Sequence, residues 1–247
     1  MKFTLLFLFF YAVLPIHGQS QVNQLDENGL KTGKWERKYV NGNYRYKGQF
    51  EKDKEVGVFY FFSEYNNTTP YLIKEFTKDN PVCSVRFYTR AGILESEGKM
   101  LGKLHVGKWL YYGPNGKRIV LEENYKDGVF HGPIKIFYRD GSLTEEINYK
   151  NGIMHGNSIR YTDLGQLVSK IPYFEGKING EVFYYDNNGV ILENGYYING
   201  KKVGDWKLYL DGKLQKIVQP NKKKERAPIP YKVMLERIKM RQNGASN

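Results

Sequence analysis

One cysteine, Cys83, is all the chain has in 247 residues, so no internal disulfide can staple it. Beyond residue 16 no apolar run approaches the ~20 residues that a membrane-spanning helix requires. No Ser–His–acid arrangement and no phosphate-cradling glycine motif is present; the 26 glycines are spaced for turns instead. These absences exclude a disulfide scaffold and a helical membrane protein, and they leave general catalysis without its usual groups. Acidic residues are also few against basic ones, 26 against 38, for a net charge of +12. That balance favours anionic partners or surfaces.

The charge is unevenly placed. Residues 221–247 carry Lys222, Lys223, Lys224, Arg226, Lys232, Arg237, Lys239 and Arg241 against Glu225 and Glu236, an excess of +6. The basic tail is taken as residues 219–247, and its segment 231–241 could form a short capping helix over the last strand edge. At the other end Lys2 precedes an apolar stretch over residues 3–16, followed by His17-Gly18-Gln19-Ser20. This is the pattern of a secretory signal peptide over residues 1–18, with cleavage after Gly18 or after Ser20. The expectation is an exported chain in a periplasm, cell envelope or extracellular space.

What fills the rest is a repeat. Gly33, Gly57, Gly107, Gly132, Gly156, Gly180 and Gly204 each open a similar phrase, at steps of 24, 50, 25, 24, 24 and 24 residues. Two residues after the glycine comes a large apolar column: Trp35, Phe59, Trp109, Ile134, Val182 and Trp206. Five after it stand Phe62, Tyr112, Phe137, Tyr161, Tyr185 and Tyr209, and seven before it Phe50, Met100, Tyr125, Tyr149, Tyr173 and Tyr197. The step of 50 hides an eighth copy anchored at Cys83, with Phe76, Val85, Tyr88 and Gly92 in register. Cys83 is therefore read as a small stand-in for the anchor glycine rather than a reactive thiol.

Aromatic and β-branched runs bounded by Asn-Gly and Asp-Gly pairs read as hairpin strands. Asp127-Gly128, Asn151-Gly152 and Asn199-Gly200 supply tight turns at one edge, and Asn115-Gly116, Asp140-Gly141 and Asn188-Gly189 at the other. The expected fold is all-β: an elongated, single-layer antiparallel meander of about eight hairpin repeats over residues 29–218. Successive units would repeat at about 9.6 Å, two strand spacings, and stack like residues into ladders.

The phrase Tyr125-Lys126-Asp127-Gly128-Val129-Phe130-His131-Gly132, echoed from Tyr149, Tyr173 and Tyr197, resembles the bacterial variant of the MORN repeat family. The resemblance spans most of residues 29–218. It implies a scaffold or binding role without catalytic residues, and many such chains are labelled YwqK-type antitoxins.

His131 and His155 occupy equivalent positions, but at about 9.6 Å apart they cannot share one zinc with bonds of about 2.0–2.1 Å. No metal, cofactor or catalytic residue is assigned, and the chain is expected not to be an enzyme. Of the pairs Glu122-Glu123 and Glu145-Glu146, one member each should face solvent beside lysines. The expected function is an exported protein-binding or scaffold module, with Trp35, Trp109 and Trp206 as candidate partner contacts. The alternative is peripheral attachment to an anionic membrane or envelope polymer through Lys222, Lys223 and Lys224. Nucleic acid is not expected as a partner, and the protein partner is unidentified.

Overall fold

The computed structural model describes residues 21–77 and 79–220. The leader expected at residues 1–18, the three lysines at 222–224 and the helix expected within the tail lie outside the described residues. All regular structure within them is β, and it falls into two compact units that divide between Ile153 and Met154.

The first unit holds β1 (Gln24–Leu25), β2 (Lys31–Lys38), β3 (Tyr44–Glu51), β4 (Lys54–Phe61), β5 (Leu72–Phe76) and β6 (Val82–Tyr88). It continues with β7 (Leu94–Leu101), β8 (Leu104–Tyr112), β9 (Ile119–Lys126), β10 (Val129–Phe130), β11 (Gly132–Phe137) and β12 (Leu143–Lys150). The second holds β13 (Ile153–Tyr161), β14 (Leu167–Phe174), β15 (Lys177–Ile178), β16 (Gly180–Tyr185), β17 (Ile191–Ile198), β18 (Lys201–Leu210) and β19 (Lys213–Val218). Within each unit, neighbours in the chain pair antiparallel. The short β10 and β15 are first halves of interrupted strands: β10 and β11 share β9, and β15 and β16 share β14. The all-β hairpin meander read from the sequence is the fold of both units.

The two kinds of turn differ more than the sequence suggests. At one edge both turn residues have positive φ in Asp127-Gly128, at 52° and 81°, and in Asn151-Gly152, at 51° and 81°, while in Gly102-Lys103 the glycine alone does, at 60°. These are the two-residue turns whose twist matches the strands they join. They also stack, because Gly128 N–H donates to His105 O at 3.1 Å and Gly152 N–H to Phe130 O at 2.8 Å. At the other edge Gly116, Gly141 and Gly189 are left-handed while Asn115, Asp140 and Asn188 are not; the last turn there, Asp211-Gly212, has both residues positive at 50° and 73°. There Gly116 N–H closes on Gly113 O and Gly189 N–H on Asp186 O, and the register shifts beside the turn. These are longer loops built on a type I turn and a left-handed glycine, which corrects the expectation of tight turns at both edges.

The anchor glycines mark a second register shift, in mid-strand. Glu97 faces Leu110 while Lys99 faces Val106, so two steps along β7 match four along β8. Gly107 makes room for this with φ at 67°, a conformation that costs a residue with a β-carbon. Cys83 does not adopt it. Its hairpin pairs in unbroken register from Leu72 opposite Phe87 to Phe76 opposite Cys83. Cys83 thus takes the anchor's place in the repeat but not its backbone, and its strand runs straight where the others bulge.

The column two after each anchor is the core. Phe59, Val85, Trp109, Ile134, Ser158, Val182 and Trp206 retain 0–7 % exposure, and Trp35 in the first repeat is half-buried. Burying one such aromatic side chain removes on the order of 150–250 Å² from water.

Candidate binding surface

The buried column sets five of the repeats apart as two kinds. In one kind an aromatic ring lies flat over a strand glycine. A β-carbon added to Gly48 would sit 2.2 Å from the Phe59 ring, one at Gly98 2.4 Å from Trp109, and one at Gly195 2.4 Å from Trp206. Each of these glycines stands nine residues before the anchor, and each ring two after it. The strands that carry the rings, β4, β8 and β18, are continuous. In the other kind the position nine before bears a side chain, Glu123 or Ile171, and the buried residue shrinks to Ile134 or Val182. Here the strand is interrupted into β10 and β11 or β15 and β16, and the anchor φ opens from 63–68° to 101° at Gly132 and 121° at Gly180. Volume is conserved across the pair in these repeats: a ring lies over an empty site and an aliphatic residue accompanies a filled one, while the repeat anchored at Gly156 has Ile147 nine before and the small buried Ser158 two after.

Every tryptophan carries a nitrogenous side chain from two residues before its anchor. Lys31 Nζ lies 5.1 Å from the Trp35 ring and Lys202 Nζ 3.6 Å from Trp206. His105 stacks on Trp109 at 3.7 Å and 20°. Lys202 is held there by Glu193 at 3.1 Å. Such cation–π contacts contribute about 0.5–2 kcal/mol according to exposure. The indole N–H groups fare differently: Trp109 donates to Lys99 O at 3.1 Å, whereas Trp206 Nε1 is buried without a partner.

Glu123 is the one carboxylate at the position beneath the rings. It faces Trp109 across the ladder and accepts from the Tyr125 hydroxyl at 2.7 Å. Burial, and then the hydrogen bond to Glu123, pushes the Tyr111 hydroxyl up to about 12, and Tyr125 rises for the same reasons. Both remain protonated donors. Burial holds the His105 imidazole below its usual range, with the nearby Glu123 opposing the shift, so the ring on Trp109 is neutral near pH 7. Tyr112 reaches Glu97 at 2.5 Å and is likewise raised to about 12, mainly by burial. The site is a set of locked donors and stacked rings, a packing device rather than an acid–base pair.

The opposite face is charged in rows. Lys108 meets Glu122 at 2.9 Å and Lys135 meets Glu146 at 3.6 Å. Glu122 thus faces outward and Glu123 inward, as alternation requires. These partly exposed pairs add about 0–1 kcal/mol each.

The candidate residues are therefore dispersed. Trp109 and Trp206, at 1 % exposure, are ladder core, and a partner would have to displace packed rings to touch them. Trp35 keeps accessible surface under Lys31, with its N–H on Thr32 O at 3.1 Å. Among the described residues no group of three or more His, Cys, Asp or Glu is brought together; His131 instead meets Asn151 at 3.2 Å. Cys83 is buried, and burial raises its thiol pKa. The sequence reading missed the glycines beneath the rings and the stacked cations; aligning the columns nine and two before each anchor would have revealed both.

Residues 130–151 and 178–199 match the family model of the MORN repeat variant. Two stretches of this chain are therefore similar to MORN repeats. Both MORN-variant stretches start two residues before an anchor, Gly132 or Gly180, and both are the aliphatic kind with an interrupted strand. No curated protein matches the chain.

Proposed function

We propose that the chain is a non-enzymatic binding module, exported by its leader, that engages another protein along its repeats. MORN repeats are generally protein- or membrane-binding modules. The observation that carries the reading is the closure of one sheet face into a packed ladder, so that each added hairpin contributes outward surface at constant spacing. An antitoxin-like role, in which that protein is a toxin, is a narrower form of the same reading. Full-length protein with a photo-crosslinker at Trp35 or on the outer face should capture one recurrent envelope protein. Capture that scatters over abundant proteins, or none at any position, would defeat it.

The alternative reading rests on the +6 balance of residues 221–247. On that reading the tail docks the chain on an anionic membrane or polymer, at about 1 kcal/mol per charge. Truncation at residue 220 should then abolish salt-sensitive binding to vesicles rich in anionic lipid. No helix among the described residues is long and apolar enough to cross a membrane.

A further inference from the structure

Each tight hairpin turn in the latter half of the first unit is flanked by a pair of outward side chains. Leu101 faces Leu104 and Lys126 faces Val129, while Lys150 and Ile153 flank the turn at Asn151-Gly152. Leu101, Leu104, Val129 and Ile153 are 38–51 % exposed. They form one line, because a β-carbon on Gly128 would touch Leu104 at 2.9 Å and one on Gly152 would touch Val129 at 3.6 Å. The lysines 103, 126 and 150 are exposed beside them. The second unit repeats the motif, with exposed Phe174 opposite Lys177 and exposed Ile198 opposite Lys201.

We infer that this strip is the docking site of the protein partner, and that the partner presents an amphipathic helix with acidic residues beside its apolar stripe. The inference rests on the protein-binding reading above. Charge decides the flanks: Lys99, Lys103, Lys126 and Lys150 stand against the single acid Asp127 over the three turns. Geometry decides the element. The strip is one side chain wide and repeats at about 9.6 Å, two strand spacings. A helix returns the same face every seven residues, about 10.5 Å, and three turns would take about thirteen residues. An extended strand shows one face every two residues, about 6.6 Å, and falls out of step. A bilayer fits poorly, since the turn tips beyond the strip are polar, with Asp127 and Asn151 exposed.

The test uses the full chain and two synthetic helical peptides of two heptads, with leucine stripes flanked by glutamate in one and by lysine in the other. The acidic peptide should bind at least tenfold more tightly, and 0.5 M salt should weaken it severalfold. Val129→Asp with Ile153→Asp should lower its affinity at least tenfold, as should Lys126→Glu with Lys150→Glu; Lys47→Glu, elsewhere on the outer face, should not. Lys126→Gln with Lys150→Gln serves if the aspartates unfold the chain, and should cost at least threefold. Equal binding of the two peptides, or indifference to these substitutions, overturns the proposal. So does loss of binding to phosphatidylglycerol vesicles in the aspartate variant with peptide binding unchanged. If the aspartate variant still captures the crosslinked envelope protein, the strip is wrong and the protein-binding reading stands. If wild type captures no protein yet binds the acidic peptide as described, the strip stands and the broader reading falls.

Discussion

Two hairpins of the first unit, anchored at Gly107 and Gly132, solve the same packing problem in opposite ways. The first lays Trp109 over Gly98 and keeps β8 whole. The second fills the site beneath with Glu123, shrinks the covering residue to Ile134, and breaks the strand into β10 and β11. The first kind concentrates its burial in one ring, and the second spreads it over smaller side chains and a tyrosine–carboxylate cluster. A repeat thus conserves the volume of a pair of positions eleven residues apart, and not the identity of either. It follows that the glycine and the ring should tolerate change only together.

The largest test of that contrast is Trp109→Ala, which empties the site above Gly98 and should cost about 3–5 kcal/mol by denaturant unfolding. Ile134→Ala should cost less, at the lower end of about 2–5 kcal/mol. Equal losses would mean that the two hairpins are not distinct in kind. Next comes Gly98→Ala, whose new carbon meets the indole at 2.4 Å and should destabilise by about 1–3 kcal/mol. Combining it with Trp109→Val should recover part of that, with a coupling of about 0.5–3 kcal/mol in a double-mutant cycle. Strict additivity would dissolve the pairing. Smaller again is Lys202→Met, expected to lose about 0.5–2 kcal/mol through the Trp206 stack; an unchanged midpoint would make the stack incidental.

The smallest effect is a pH dependence. The folded His105 pKa lies below its unfolded value of about 6.5, so the unfolded chain binds the proton more readily. Stability owed to this residue is complete above pH 6.5 and declines as pH falls towards the folded pKa. His105→Gln should flatten that part of the profile between pH 7.5 and 5.5. A variant profile parallel to wild type would show that the stacked ring does not titrate as placed.

Much of this was legible in advance. Hairpin turns, the buried column and the eighth repeat at Cys83 follow from periodicity, since a residue that returns every 24 positions must serve the same neighbour. The glycines at 48, 98 and 195 were harder to see, because their meaning is an absence, filled by a ring eleven residues later. The backbone at Cys83 was illegible for a different reason: a small side chain can stand for glycine by size without sharing its access to positive φ. The tryptophans drew notice as contacts because of their chemistry, while their burial depends on that hidden glycine.

The unbulged hairpin at Cys83 also carries a clock. Its thiol is sealed between Phe76 and Met100, on the strands either side, so a thiol reagent can modify it only when those strands part. With no second cysteine in the chain, the rate of labelling reads the opening of this one hairpin pair, without mutation or tag. Repeats on either side could then be altered one at a time, and the change in that rate would measure how far a disturbance travels from strand to strand.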